Sequence, residues 1–536
     1  MDKIKLDCGC ELDTKDGEPI MPLDITEVNL DCQAVWDLIS SGKTIGGFQI
    51  DSGLGQSMSK KLKPQNINHL AALIAIMRPS CLNGFLEDGK SIADHFIDRK
   101  NQKESPICPY TVLDDILRHT YGLLIYQEDS IKIGQEIAGL TLQESDKYIR
   151  YGIGKKKAEI IAEAEKVFLA GCKNLGKVTE KEAKEIFEWL RSAQRYQFNS
   201  AHSYGYALTT YHTMYAKAHF PLRFFKSYLN HSKDKIKPLD EVKSLANDCR
   251  YFNIDLVNPD LRLKNKNFII KDGRLYFGLG YIKGIGESAT RTLVSTLEAF
   301  DLNNSVWTRL LFEAFLGQNK TVIKNLIAVG SLDYLGISRE KLLYEHDAVL
   351  KLTKKEVEWI KSNIDLNQFN SIEPILADIL SRPTGRGEPI ANKNRQNIVK
   401  SLHSTVVKPS SSVKDKIRRM SALENSYLGV SLSCHKIDDL NLDLADTTCK
   451  ECGDGKSGHM KLVVELTRVK EITTKKEGKR MAFIEGEDGT GKISDIAVFP
   501  EVWDKHYKTL FEGNTVLLVI YRSFKGSLVM SSCKFV

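Results

Sequence analysis

The sequence predicts a multidomain, mainly α-helical protein that ends in a small all-β barrel, and three observations support this prediction. Apolar residues recur at helical spacing almost without interruption from Asp31 to about His231. A glycine–apolar–glycine turn at 284–286 lies between apolar segments, as in a helix-hairpin-helix. From about Met460 onward the apolar period becomes two, which is typical of strands.

These changes divide the 536 residues into five predicted segments, within the range expected for a chain of this length. The segments are a poorly structured N-terminal lead-in (1–30), a long helical domain (31–231), a region containing the helix-hairpin-helix (232–335), a helical and polar connector (336–456) and the barrel (457–536).

Composition favours a globular protein, with 42% hydrophobic and 27% charged residues. The net charge of +7 favours a polyanionic partner without requiring one. No apolar run approaches the roughly 20 residues of a membrane helix, and the polar, acidic N-terminus is not a secretory signal. We therefore expect a cytoplasmic protein without membrane association.

Eleven cysteines, an odd number spread over a long chain, indicate reduced thiols. Cys8 and Cys10 form a C-x-C pair, and Cys449 and Cys452 form a C-x-x-C pair. Zinc knuckles use such spacings. Folding could unite the pairs as a four-thiolate Zn²⁺ site, and free thiols are the alternative.

The first helical region contains an unusual stretch, YGIGKKK, at 151–157. Lys155, Lys156 and Lys157 follow Gly154 at the predicted start of a helix, where backbone N–H groups already carry partial positive charge. This arrangement is favourable if a phosphate binds there. A solvated basic turn is the alternative.

An aromatic helix with its entry loop spans 198–225. Tyr204, Leu208, Tyr211 and Tyr215 recur at helical spacing and are predicted core residues. Asn199 and His202, polar and at the helix entry, are candidate nucleotide contacts. Arg78 stands at a predicted helix stop before Pro79 and could offer its planar fork to phosphate oxygens.

The glycine turn at 284–286 is the second candidate phosphate contact. In helix-hairpin-helix modules such a turn presents backbone N–H groups to DNA phosphates without reading sequence, and glycine permits close approach and positive φ. Lys283, Gly284 and Gly286 are therefore candidate DNA contacts. An ordinary connector between helices is an equally good interpretation.

The C-terminal region predicts an OB-fold barrel. Five strand candidates, with one helical segment (PEVWDKHYKTLF) between the third and the fourth, follow the order of that fold. OB barrels offer basic grooves and stacking aromatics to single strands. Arg522, Phe524 and Lys525 in the loop YRSFKG are candidate DNA contacts, although each could be an ordinary surface residue.

A series of ordered stretches resembles the fingers region of bacterial C-family replicative DNA polymerases, the alpha subunits of the polymerase III holoenzyme. The stretches are GGFQIDS (46–52), LKPQNINHLAALIAIMRP (62–79), FIDRKN (96–101), LDDILRHTYGLLIYQE (113–128), IAGLTLQESD (137–146), GIGKKKAEI (152–160), FNSAHSYGYAL (198–208) and KAHFPLRFF (217–225). The resemblance continues through YFGLGYIKGIGE (276–287), NLIAVGSLDYLG (325–336), ENSYLGVSLSCHKID (424–438) and the barrel. The shortened form is most similar to versions encoded by large bacterial viruses.

The resemblance implies roles for individual residues. Arg78 and the lysines after Gly154 would hold the triphosphate of the incoming deoxynucleotide. Tyr126, Gln127, Asn199 and His202 would lie around the nascent base pair and the primer–template. The sequence departs from the family at Tyr151, where arginine is usual, at Ser200, where lysine is usual, and at Ser80-Cys81, which replaces Gly-Pro.

The catalytic carboxylates that the resemblance implies are not evident in the sequence. Polymerisation uses two Mg²⁺ ions held by strand aspartates, and no Asp-x-Asp on an apolar strand precedes the fingers-like region. Asp7 and Asp13 fit an exposed tail, with replacement of a palm ligand by Asp7 as the alternative, and Asp443 and Asp446 lie far along the chain. We predict part of a polymerase whose palm comes from a separate polypeptide, with a sliding clamp as a further candidate partner. The alternative is a non-catalytic DNA-binding or regulatory protein built from the same modules.

Overall fold

The structure, a computed structural model, describes residues 3–16, 18–22, 24–86, 88–154, 158–408, 413–440, 442–474, 477–524 and 526–536. The chain divides into two compact units, Met1–Phe224 and Phe225–Val536. Among the described residues, no helix has the length and apolar composition that crossing a bilayer would require.

Unit 1 begins with a three-stranded antiparallel sheet in the order β1–β2–β3. Its strands are β1 (Lys3–Lys5), β2 (Glu11–Lys15) and β3 (Glu18–Pro19). Lys3 pairs with Asp13 and Lys5 with Glu11, and Leu12 is buried in the core of the unit. The prediction of a poorly structured lead-in is therefore wrong for this segment, because its alternation is too short to distinguish a strand from a polar tail.

The rest of unit 1 is helical. Its helices are α1 (Gln33–Ser41), α2 (Gly53–Leu62), α3 (Ile67–Ile76), α4 (Pro79–Leu82), α5 (Ile92–Lys100), α6 (Asp114–Leu117), α7 (Gln127–Ala138), α8 (Leu142–Glu144), α9 (Ala158–Leu175), α10 (Glu180–Ala193) and α11 (Ser200–His219), and α12 (Pro221–Asn230) crosses the boundary between the units. One core, around Trp36, Leu73 and Tyr211, joins α1, α3 and α11. A second core, around Phe168 and Phe187, joins α7, α9 and α10.

Local rules explain where the first helices end. Gly42 adopts φ 77° after α1 and donates its N–H to Ile39, a left-handed cap that favours glycine. Helix α3 ends two residues before Arg78, whose extended backbone (φ −115°, ψ 152°) is the conformation preferred before proline. Pro79 then occupies the first position of α4, where the missing N–H costs nothing.

Unit 2 is helical apart from a small sheet and the barrel. Its helices are α13 (Pro238–Tyr251), α14 (Glu287–Leu297), α15 (Trp307–Arg309), α16 (Lys320–Ala328), α17 (Arg339–Val349), α18 (Lys354–Asn363), α19 (Glu373–Ser381), α20 (Lys393–Val406), α21 (Val413–Leu428), α22 (Cys449–Gly453) and α23 (Pro500–His506). The small sheet has the order β4–β6–β5, with β4 (Leu256–Val257), β5 (Ile269–Lys271) and β6 (Arg274–Tyr276).

The C-terminal strands close into a five-stranded barrel, as the sequence predicted. They are β7 (His459–Thr473), β8 (Arg480–Asp488), β9 (Gly491–Val498), β10 (Thr515–Arg522) and β11 (Leu528–Phe535). Strand β7 pairs with both β8 and β10, while β9 meets β11 in parallel at Ala497 and Val529 and closes the barrel. With α23 between β9 and β10, this is the topology expected of an OB fold.

Candidate phosphate-binding cleft and nucleic-acid surfaces

A cleft of about 320 Å³ opens in unit 1 between segments that are far apart in sequence. Its residues come from the turn before α2 and the start of α2, from the end of α3 and the residues after it, and from the entry and first turns of α11. The lining residues are Gln49, Ser52, Leu54, Ile74, Met77, Arg78, Phe198, His202 and Tyr206. Two of the predicted nucleotide contacts, Arg78 and His202, therefore lie in one cleft.

Arg78 is held by backbone carbonyls and by an aromatic ring. Its Nε donates to the carbonyl of Ala75 (3.0 Å) and one Nη to the carbonyl of Tyr196 (3.1 Å). Its guanidinium carbon lies 3.9 Å from the ring centroid of Phe198. These contacts fix the plane of the fork and use two of its five N–H groups.

The charge of Arg78 has no carboxylate partner among the described residues. The side chain is half-buried, and burial lowers the pKa of its guanidinium because desolvation disfavours the charged form. A half-buried, oriented cation with unused donors is the electrostatic signature of an anion site.

Aromatic rings continue along the cleft from Phe198. Its ring meets that of His202 edge-on, with centroids 5.4 Å apart, and His202 lies 4.1 Å from Tyr206. Tyr206 stacks on Phe48 at 5.1 Å with an interplanar angle of 12°. The cleft thus places a cationic fork beside a line of ring faces, which suits a ligand that combines phosphate with a planar base.

The rim formed by Gln49 and Ser52 is a part of the site that was not predicted. Gln49 has φ 64°, a left-handed conformation uncommon outside glycine. Ser52 caps α2 by accepting from the N–H of Gly55 (3.1 Å). The signal available in the sequence was the run Asp51-Ser52-Gly53, a recognisable helix start.

Asn199 has a structural role at the start of α11. Its Oδ1 accepts from the N–H of His202 (2.7 Å) as the helix cap, and its Nδ2 donates to Glu128 (2.7 Å). Glu128 also accepts from the N–H of Ser200 (2.8 Å). Both functions of the Asn199 amide are therefore used within the protein, and its predicted nucleotide contact stays a prediction.

Tyr126 and Gln127 join α7 to the entry of α11. The N–H of Gln127 donates to the carbonyl of Phe198 (2.9 Å), and Gln127 is half-buried. The Tyr126 ring is 3% exposed and stacks parallel to His119, with centroids 6.0 Å apart. The Tyr126 ring is therefore a buried packing residue. Its backbone pairs with that of Phe198 in an isolated β-bridge, and Phe198 is the residue that lines the cleft.

The glycine turn before the lysines differs from the prediction. A π-helical segment runs from Ser145 to Gly152, and the backbone remains helical through Gly154, which is exposed. Neither glycine has positive φ. Lys155, Lys156 and Lys157 lie outside the described residues, so their contact with phosphate stays a prediction. In the helix that follows, Ala164 and Phe168 are buried in the second core of the unit.

The turn at 284–286 has the geometry that a phosphate-binding hairpin needs. Gly284 adopts φ 85°, and a Cβ there would lie 2.8 Å from Nδ2 of Asn325, so glycine is required. Asn325 donates to the carbonyl of Lys283 (2.9 Å). Within the described part of the chain, the N–H groups of Gly284 and Gly286 have no hydrogen-bond partner, and both residues and Lys283 are exposed.

The loop between β10 and β11 contains residues with different roles. Arg522 donates to the backbone carbonyls of Cys452 (2.6 Å), Gly526 (3.0 Å) and Lys456 (3.3 Å), so its guanidinium mainly braces the loop. The Phe524 side chain is fully exposed. Lys525 lies outside the described residues. Phe524 is therefore the candidate DNA contact that the geometry favours.

The described residues do not gather carboxylates for two-metal chemistry. The group of potential metal ligands found among them consists of Cys8, Cys10, Cys32 and His219. Asp7 and Asp13 are exposed, and Asp446 accepts from the N–H of Lys461 (2.8 Å). The described part of the chain therefore does not fit a Mg²⁺ pair, and we assign no metal-dependent step to it.

The four-cysteine Zn²⁺ site, which the sequence offered beside free thiols, is not supported by the positions of Cys449 and Cys452. Cys449 and Cys452 are fully buried in the apolar core of the barrel, and burial raises the pKa of Cys449 well above its ordinary value. Neither belongs to the cluster that contains Cys8 and Cys10. Spacing alone could not distinguish a metal knuckle from two buried thiols on one turn of α22.

Two family models match the chain. Residues 10–176 match the bacterial DNA polymerase III alpha subunit finger domain. Residues 253–342 match a helix-hairpin-helix motif and include the turn at 284–286.

Individual relatives extend this similarity over almost the whole chain. The DNA polymerase III subunit alpha of Pasteurella multocida is 28% identical over 529 residues, which are 96% of this chain and 42% of the relative. That of Escherichia coli K12 is 27% identical over 540 residues, with coverages of 97% and 42%. That of Aquifex aeolicus is 32% identical over 329 residues, with coverages of 60% and 27%. The chain thus spans less than half the length of these relatives.

Proposed function

The chain belongs to the family of bacterial DNA polymerase III alpha subunits, and from this premise we propose that it binds the incoming deoxynucleoside triphosphate and the primer–template in a replicative DNA-directed DNA polymerase. The observation that carries the proposal is Arg78. It is an oriented cation without a carboxylate partner among the described residues, and it faces a cleft lined by aromatic rings.

The components of the cleft match the chemistry of a nucleotide. Arg78 has three N–H groups left for phosphate oxygens. His202 and Tyr206 offer ring surfaces at the opposite end of the same aromatic line. Lys155, Lys156 and Lys157 would add positive charge to the triphosphate, as the sequence suggests.

DNA is bound by unit 2 in this proposal. The hairpin at Lys283–Gly286 grips duplex phosphates through its free backbone N–H groups. The barrel contributes Phe524 as a stacking surface for single-stranded template. Because these contacts neutralise phosphates or stack on any base, DNA binding is independent of sequence and weakens with salt.

The metal-binding aspartates are supplied by polypeptide outside residues 1–536, and a separate palm-bearing chain is the arrangement that the sequence suggested. The described carboxylates do not gather around a metal position. The same observation is also what a non-catalytic DNA-binding or regulatory protein, the alternative function, would show. The two differ in whether Arg78 contributes to nucleotide incorporation.

Primer extension tests the proposed function. With Mg²⁺ and deoxynucleotides, the purified chain is expected to bind primer–template without extending it, because the residues that the structure describes do not bring together the carboxylates of two-metal catalysis. Extension is expected when a palm-bearing polypeptide is added in trans or fused ahead of residue 1. Replacement of the palm aspartates by asparagine in that polypeptide is the control.

Robust synthesis by residues 1–536 alone would contradict this division of roles. A second comparison uses the complex of this chain with the palm-bearing polypeptide. If this complex extends primers equally well after Arg78 and Lys155–Lys157 are replaced, the result would favour the non-catalytic alternative.

Replacing Phe524 by alanine is expected to weaken binding of single-stranded DNA by roughly five- to a hundredfold, since aromatic–base stacking contributes about 1–3 kcal/mol. Thermal stability should not change, because the ring makes no buried contact. Phe511→Ala, which removes another exposed ring of unit 2, is the matched control. Fluorescence anisotropy with labelled oligothymidylate measures the DNA affinity of each variant. Equal affinities for Phe524→Ala and Phe511→Ala would exclude Phe524 as a contact.

A further inference from the structure

Three cysteines and a histidine of unit 1 converge on one point. The Sγ atoms of Cys8, Cys10 and Cys32 and a ring nitrogen of His219 all lie within 4.8 Å of one another. The Cys32 Sγ is 3.4 Å from Nε2 of His219. Cys10 and Cys32 are 3% and 1% exposed, and Cys8 and His219 are half-buried.

The local backbone explains how the C-x-C pair is presented. Cys8 and Cys10 lie in the turn between β1 and β2, where the N–H of Gly9 donates to the carbonyl of Leu6 (2.8 Å) and that of Leu6 to the carbonyl of Cys10 (2.8 Å). Gly9 has φ 84°, which suits glycine. The tight turn brings two thiols separated by one residue to the same point.

The other two groups come from helix ends. Cys32 precedes the first residue of α1, and its thiol makes no capping hydrogen bond. His219 is the last residue of α11. Asn29 donates from Nδ2 to the Cys10 Sγ (3.6 Å), the kind of supporting donor that orients metal ligands.

We propose that Cys8, Cys10, Cys32 and His219 form a structural zinc site. Zinc takes four thiolate and imidazole ligands tetrahedrally, and its bond lengths place the ligand atoms roughly 3.5–3.8 Å apart. The observed separations, all within 4.8 Å, need only a small contraction on binding. Three sulfurs and one nitrogen favour Zn²⁺ over Mg²⁺, which prefers oxygen. Since the protein supplies all four ligands, the metal has no open position for catalysis.

The proposed zinc site would crosslink the N-terminal sheet to the helical domain. The sheet has strands of two to five residues, and such a small sheet is marginal without further support. The zinc ion joins it to the start of α1 and to the end of α11. Because α11 carries His202 near its other end, this crosslink also anchors the helix that lines the cleft.

Metal analysis of the full chain tests the proposal. Protein purified under reducing conditions without chelators is expected to contain about one zinc per chain. Cys10→Ser and Cys32→Ser should lose most of this zinc, whereas Cys8→His should retain it because imidazole can replace thiolate. Cys81→Ser, at a buried cysteine outside the cluster, and Cys108→Ser, at a half-buried one, are matched controls and should keep the full content.

Cobalt substitution tests the site in the wild-type chain and therefore does not depend on the folding of variants. Co²⁺ is expected to give thiolate-to-metal charge-transfer absorption and the visible bands of a tetrahedral complex, both abolished by added Zn²⁺. A folded chain, verified by circular dichroism, that contains no zinc and gives no such spectrum would overturn the proposal. A disulfide between any two of the three cysteines in the freshly isolated protein would also overturn it.

Discussion

Replacing Arg78 by alanine is expected to weaken binding of the templated deoxynucleotide by roughly ten- to a hundredfold. Hydrogen bonds to charged groups contribute about 1.5–3 kcal/mol, and each 1.4 kcal/mol is a factor of ten. The fork of Arg78 is already oriented by Ala75, Tyr196 and Phe198, so little entropy is lost when phosphate binds. Equilibrium binding of the nucleotide to the chain–primer–template complex measures the effect.

Two further variants separate charge from geometry. Arg78→Lys keeps the charge but loses the planar fork and its stacking on Phe198, so an intermediate loss is expected. Arg191→Ala, which removes an exposed arginine paired with Glu188 in the same unit, should bind as the wild type does. If Arg78→Ala and Arg191→Ala bind nucleotide equally well, the cleft is not the triphosphate site.

Replacing Arg339 by alanine is expected to destabilise unit 2 by about 3–5 kcal/mol, because it leaves a buried carboxylate unpaired. The side chain of Glu424 is 0% exposed and accepts from Nη1 of Arg339 (2.7 Å). Arg339 also donates to Asp333 (2.6 Å), and Glu424 accepts from Asn258 (2.7 Å). This network joins the helix-hairpin-helix region to α21, so its loss should lower the stability of that region and of α21.

Hydrogen-exchange mass spectrometry suits this measurement, since a chain of several domains has no single unfolding free energy. Peptides from α16, α17 and α21 should exchange roughly a hundredfold faster or more in Arg339→Ala, following the same energy conversion. Arg274→Ala removes an arginine from an exposed pair with Asp255 in the same unit and should cost less than about 1 kcal/mol. Similar exchange in both variants would show that the buried network is not a major source of stability.

The parts of the fold that follow local rules could be predicted from the sequence. The apolar period of two marks the barrel strands despite the shifts in their register, and α1 and α3 end where Gly42 and the pair Arg78-Pro79 require them to end. Arg78 could be singled out because a helix stop and a proline constrain its backbone. The orientation of its guanidinium, in contrast, depends on Tyr196 and Phe198, which are more than a hundred residues away in sequence.

Features that depend on distant contacts could not be predicted. Cys32 and His219 are 187 residues apart, and neither shares a motif with Cys8 and Cys10. The burial of the Tyr126 ring and the bracing role of Arg522 likewise depend on which carbonyls and rings the fold brings to them. A polar or aromatic residue at a suggestive position can therefore be structural, as Asn199 is at the start of α11.

Photo-crosslinking of an azido-deoxynucleotide to the chain bound to primer–template tests the nucleotide cleft most directly. We expect label on peptides containing 49–54, 74–78 and 198–206 when the analogue matches the template. An unmatched analogue or Arg78→Ala should give much weaker labelling. Template-dependent label on peptides away from this cleft, undiminished in Arg78→Ala, would contradict the account.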